Sequence, residues 1–178
     1  MKNSRVGLPT AIQPLKVNLK TKIRDLTISR VRSDILFASV DGVLHPKHKE
    51  SLERIETLNL FFSANKSFRL VLTSHWRCEM DQEFFEDKFA PLLPVTLGFT
   101  PLLPTQTHRR EAEILAFAKH FNINSMAILD CDIERFNKLR HLVVQPDPYI
   151  GVQGADLKQL PDKFIQGRDF LMGLREAV

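Results

Sequence analysis

With 178 residues, 43% of them hydrophobic, the chain is long enough for one domain with a substantial core. The net charge of +4 conceals an asymmetry: residues 1–33 carry eight Lys/Arg and one acid, Asp25, for +7, and the other 17 bases and 20 acids leave −3. Two cysteines exclude a disulfide framework, no apolar run reaches the ~18 residues of a membrane span, and no signal h-region follows Met1. The expectation is a soluble, cytoplasmic protein with no membrane partner.

Residues 1–14 contain Gly7, Pro9 and Pro14 without periodicity and read as extended chain. Leu15, Val17, Leu19 and Ile23 alternate with Lys16, Asn18, Lys20 and Lys22, the period of a half-buried strand with a basic outer face. Leu26–Val31 offers it a hairpin partner, so residues 1–33 read as a basic N-terminal strand or hairpin added to a domain over 34–178. Lys16, Lys20 and Lys22 are the candidates for nucleic-acid contact there. The same strand offers an edge for homo-oligomerisation.

The run Ile35–Val40 is apolar throughout, the mark of a strand buried on both faces, and Asp41-Gly42 ends it. Leu52, Ile55, Leu58 and Phe62 recur at helical spacing within 50–65. Arg69–Thr73 is a second buried strand, followed by an acidic amphipathic helix over Glu79–Phe89 that carries Phe84, Phe85 and Phe89. Prolines 91, 94, 101 and 104 confine Val95–Thr100 to a short strand or loop. Arg109–Phe121 is a helix, and Met126–Leu129 is a third core strand. A short helix is expected around Ile133–Leu139, then a strand at His141–Val144 and a helical tail from Gly154 that packs through Leu157, Phe164, Phe170 and Leu171. Strands alternating with helices predict a three-layer α/β domain around a parallel, Rossmann-like sheet. In such sheets chemistry collects at the carboxyl edge, where Ser39, Asp41, Thr73, Ser74, Asp130 and Asp132 fall.

The motif Ser39-Val-Asp41-Gly-Val-Leu resembles motif I of the haloacid dehalogenase (HAD) phosphohydrolase superfamily, with Ser39 where that family has its nucleophilic aspartate. Thr73 ends a strand as motif II does, Arg110-Glu-Ala-Glu-Ile114 is similar to a basic motif III, and Ile-Leu-Asp130 to motif IV. Leu-Thr-Ser-His-Trp-Arg (72–77) resembles the small HAD domains found with bacterial RNA-repair proteins. Arg110 also shares a helical stripe with Ile114 and Phe117, at the helix start, which aims it at the sheet's active edge. Asp41 and Thr73 are 32 positions apart and Thr73 and Arg110 are 37 apart, enough for a helix and a loop each and too few for a cap domain. A capless site suits a bulky phosphate carrier, such as a nucleic-acid end or a protein.

The resemblance implies a phosphate pocket built from Thr73, Ser74 and Arg110, an acid in Asp41, and Mg²⁺ on Asp41, Asp130 and Asp132. The family's second acid in motif IV is replaced by Cys131, with Asp132 as its substitute. Ser39 is a weak nucleophile unless a base or metal deprotonates it, and its neutral hydroxyl is a poor magnesium ligand. The expectation is therefore a degenerate phosphohydrolase domain, binding Mg²⁺ weakly or not at all and acting as a binding or regulatory module, with a nucleic-acid link. The alternative is an active Mg²⁺-dependent phosphatase for a bulky phosphorylated substrate. His45, His75 and His108 read as solvated loop histidines, Trp76 as core, Arg77 as packed on Trp76 or paired with an acid, and Cys131 as a small buried thiol.

Overall fold

The computed structural model describes residues 34–49, 51–103 and 108–176. The basic arm with Lys16, Lys20 and Lys22 lies outside the described residues. Five strands form one parallel sheet: β1 (Asp34–Ala38), β2 (Phe68–Leu72), β3 (Thr96–Phe99), β4 (Ser125–Leu129) and β5 (Val143–Val144), in the order β3-β2-β1-β4-β5. The chain builds outward from β1 on one side and then crosses to the other, so the topological switch falls between β1 and β4. That crevice is where ligands bind in open α/β sheets.

Alternation along each strand makes two cores. Leu36, Ala38, Leu70, Leu72, Ala127 and Leu129 face one layer, with Leu58 and Phe62 of α1 (Ile55–Ala64), Phe85 of α2 (Gln82–Lys88) and Leu157 of α4 (Gly154–Leu157). Ile35, Phe37, Val71, Met126 and Ile128 face the other, with Ile114 and Phe117 of α3 (Arg109–Phe121). α5 (Leu160–Glu176) contributes Phe164 to the first core and Leu171 to the second. Between β1 and β2, and between β2 and β3, the chain forms only turns and one α-helix each, so neither connection holds a cap domain.

Because β5 pairs only with Ile128 and Leu129, no strand among the described residues continues β5 along β4 at Ser125–Ala127. α5 packs against this part of β4 at Gly167, where an added Cβ would stand 1.9 Å from the Met126 carbonyl oxygen. Gly167→Ala is expected to destabilise the domain by about 2–3 kcal/mol, since the obstacle is backbone and α5 must lift away. Urea denaturation compared with Gly173→Ala, whose Cβ meets nothing within 4 Å, checks it; equal midpoints would reject the close approach.

Several elements depart from expectation for identifiable reasons. The helix expected around Ile133–Leu139 is instead two 3-10 turns, Ile133–Arg135 and Arg140–Leu142, with Phe136 extended between them. The buried Glu111 carboxylate accepts the N–H groups of Asn137 and Leu139 at 2.7 and 2.9 Å, so a partner from α3 replaces the helical ladder. α1 starts only at Ile55, since Leu52 sits at φ 51°, outside the helical region. The segment expected to be helical from Glu79 begins at Gln82, where Asp81 accepts from the Phe84 N–H at 2.8 Å as N-cap. Phe84 is exposed and Phe85 and Phe89 are buried. α3 has the bounds that its apolar spacing predicts. No helix among the described residues is long and apolar enough to cross a membrane.

Candidate functional site

β1 and β4 pair with Ala38 opposite Leu129, which brings the next residues, Ser39 and Asp130, to neighbouring strand ends. The ladder continues past the strands: Ser39 N–H donates to the Leu129 carbonyl and Thr73 N–H to the Ala38 carbonyl, both at 2.9 Å. Ser39, Thr73 and Asp130 are consequently almost fully buried, at 2%, 2% and 1% exposure.

Arg110 reaches this edge from the first turn of α3. Its Nη1 donates to Ser39 Oγ at 2.8 Å and to Asp130 Oδ2 at 2.5 Å. The pair is close to neutral and largely buried, so its attraction is screened much less than that of a surface ion pair. Asp130 Oδ1 accepts the Asp132 N–H at 2.9 Å, so both of its carboxylate oxygens are engaged. The Asp132 carboxylate turns outward and pairs with Arg135 Nε at 2.7 Å. The Ser74 hydroxyl accepts from the Trp76 N–H at 3.3 Å, capping the 3-10 turn His75–Cys78.

Asp41 stands apart from this group. After β1 the chain folds into a turn in which Val43 and Leu44 N–H both return to the Val40 carbonyl. Gly42 holds φ +69°, and a Cβ there would lie 2.6 Å from Cys131 Sγ. Only glycine meets both conditions. The Cys131 thiol in turn donates to the Asp41 carbonyl at 3.3 Å. Burial, with the Asp130 carboxylate adding to it, pushes that thiol above its ordinary 9.0, so it is neutral and keeps the proton it donates.

The Asp41 side chain is 45% exposed and held by Trp76, whose Nε1 donates to Oδ1 at 2.8 Å; His45 Nε2 lies 3.2 Å from the same oxygen without a hydrogen bond. His45 Nδ1 sits 2.8 Å from the Pro46 carbonyl, which can only accept, so Nδ1 carries a proton. His45 is 1% exposed, which corrects the expectation of a solvated loop histidine; Val43 and Leu44, both buried, carry the turn into the core with it. His75 and His108 are exposed. Trp76 is half-buried and serves Asp41, and Arg77 is buried and paired with Glu113. Neither link could be read from spacing along the chain, since each joins residues about 35 positions apart.

The donor set does not fit a magnesium octahedron as arranged. Asp130 is committed to Arg110 and the Asp132 N–H, Asp132 to Arg135, and the Asp41 carbonyl to the Cys131 thiol. Among the described residues no group of three His, Cys, Asp or Glu side chains is placed to hold a metal. What the edge offers instead is a guanidinium and two hydroxyls around one strand junction, suited to an oxyanion.

A parallel sheet in this order, with basic, hydroxyl and acidic side chains gathered beyond β1, β2 and β4, defines a Rossmann-like α/β domain with its candidate site at the carboxyl edge. Residues 35–157 match the family described as the HAD domain in Swiss Army Knife RNA repair proteins, and the chain belongs to that family. No curated protein and no solved structure matches the chain.

Proposed function

We propose that this is a degenerate HAD domain that binds a phosphorylated ligand at the Ser39–Thr73–Arg110 edge and lacks covalent phosphatase chemistry. The observation that supports this reading is the closed group Ser39–Arg110–Asp130. Replacing an aspartate by Ser39 removes one negative charge, and the one remaining carboxylate is neutralised by Arg110. A neutral pair has little to attract Mg²⁺, so magnesium binding is weak or absent in this reading. The phosphate of the ligand would accept from the Arg110 guanidinium and the Thr73 hydroxyl. Ser74 and Asp132 contribute through the backbone they order.

The carrier, on this reading, is a nucleic-acid end. The family's link to RNA repair and the uncapped edge both favour it. The basic arm, through Lys16, Lys20 and Lys22, adds non-specific attraction to the strand.

A second reading keeps a specific observation in its favour. Asp41 is oriented by Trp76 and open to solvent, the placement a general acid needs. An active phosphatase would use that acid with Ser39 or a water as nucleophile.

Calorimetry and a single-turnover assay separate the readings. The expected result is inorganic phosphate binding that needs no Mg²⁺ and is lost in Arg110→Gln, with little heat from millimolar Mg²⁺ and no release of phosphate in one turnover. Deletion of residues 1–32 is expected to weaken oligonucleotide binding and leave phosphate binding intact. Rapid turnover abolished by Ser39→Ala would establish the second reading in place of the first.

A further inference from the structure

Beside the Ser39–Arg110 edge opens a cleft of about 480 Å³ lined by Thr73, Arg77, Arg109, Arg110, Glu113 and Arg135, among others. Thr73 and Arg110 belong to both, so the cleft adjoins the edge. The charges along the cleft are mostly matched. Arg110 pairs with Asp130, Arg135 with Asp132, and Glu134 with Arg140. One cluster is not matched. Arg77 Nη2 and Arg109 Nε both donate to the single carboxylate of Glu113, at 2.6 and 2.9 Å, which leaves one positive charge in excess among the described residues.

That excess is held under conditions that favour an anion. The Arg77 side chain is only 7% exposed, and its Nε–H is buried with no hydrogen-bond partner among the described residues. A buried cation lacking full compensation, and a buried N–H lacking an acceptor, both raise the free energy of the empty cleft. Arg109, at 38% exposure, extends the same positive potential to the mouth. An anion in the cleft would offset the excess charge.

Resting on the reading of the Ser39–Arg110 edge as a phosphate pocket, we propose that the Arg77–Glu113–Arg109 cluster is a second anion subsite. It takes the phosphodiester next to the terminal phosphate of a nucleic-acid strand, and so makes the domain a reader of strand ends and not of isolated phosphate groups. The volume exceeds what a single phosphate fills and falls within the ordinary range for ligand pockets, about 300–1,000 Å³. The terminal phosphate would sit at Thr73 and Arg110, with the chain leaving past Arg109 towards Arg135.

The test is fluorescence anisotropy with single-stranded pentanucleotides phosphorylated at the 5′ or the 3′ end, competed by inorganic phosphate and by pyrophosphate. The full chain is compared with Arg109→Gln and Arg109→Lys, each with its melting temperature measured. Arg109→Gln is expected to bind the preferred pentanucleotide about tenfold more weakly, a loss of one charge-assisted contact. Its log–log salt slope should be shallower by about 0.7. Inorganic phosphate should compete as it does against the unaltered protein, and Arg109→Lys should restore most of the affinity and the slope.

Unchanged strand binding in Arg109→Gln would overturn the subsite. So would an equal loss for inorganic phosphate, which would put Arg109 in the first pocket. Pyrophosphate binding as tightly as the strand, with the same dependence on Arg109, would replace the strand by a diphosphate and overturn the assignment. Failure of the underlying phosphate pocket looks different: neither phosphate nor strand would then depend on Arg110.

Discussion

Ser39→Asp is expected to create phosphatase activity or raise it by several powers of ten, on the order of 6–8 kcal/mol of barrier lowering. The motive is that Asp41, Thr73, Arg110 and Asp130 all match the family's pattern around the one position that departs from it. A carboxylate there supplies a nucleophile and a second anion at the same point, and both act on one transition state. Ser39 is buried with Arg110 Nη1 at 2.8 Å, so a longer side chain must push the guanidinium outwards into the open cleft. Arg110 would then bridge two carboxylates in place of one carboxylate and one hydroxyl.

Two carboxylates at one strand junction repel, and without a cation one of them would be driven to hold its proton. Activity should therefore require added Mg²⁺, and calorimetry should show metal binding absent from the unaltered protein. Hydrolysis of 4-nitrophenyl phosphate with and without Mg²⁺ is the measurement. If the variant folds, binds Mg²⁺ and still hydrolyses nothing, the site has diverged beyond its nucleophile and loss of one residue does not explain its chemistry.

Glu113→Gln should cost about 3–5 kcal/mol of stability, the largest effect expected of any substitution that preserves side-chain shape here. Glu113 is 2% exposed and accepts from Arg77, from Arg109 and from the Leu103 N–H. A neutral amide leaves the buried Arg77 charge without its counterion and turns an acceptor into a donor facing it. Arg109, more than a third exposed, can hydrate and adds little to the loss. A melting temperature lower by roughly 10 °C would match this range for a domain of such size. The control is the double variant Arg77→Met/Glu113→Leu, which removes both charges and should recover most of the stability. Equal stability of Glu113→Gln and the unaltered protein would mean that the ion pair is not formed in solution.

How much of this was legible in the chain follows from the range over which each feature is decided. Apolar runs at Ile35–Val40, Arg69–Thr73 and Met126–Leu129 correspond to β1, β2 and β4, because a strand buried on both faces must be apolar along its whole length. α3 runs from Arg109 to Phe121 as its spacing requires, ending at Asn122 in the left-handed conformation that asparagine tolerates. The positions of Ser39, Asp41, Thr73 and Asp130 just beyond strand ends were legible for the same reason. A break in an apolar run marks the carboxyl edge of a parallel sheet.

Other features belong to the tertiary structure alone. The register of β1 against β4 decides that Ser39 meets Asp130, and α3 then closes both with Arg110. Glu111 replaces a helix at 133–139 by accepting N–H groups 26 and 28 positions away. His45 is buried although it follows a polar turn, since the turn itself folds inward on Gly42 against Cys131. Arg77 shares Glu113 with Arg109 although the sequence offers Arg77 several nearer acids. Periodicity and turn residues act within a few positions of one another and so can be read along the chain. Which charges neutralise each other at a strand junction depends on contacts between distant segments, and only packing of the sheet between its two helical layers decides them.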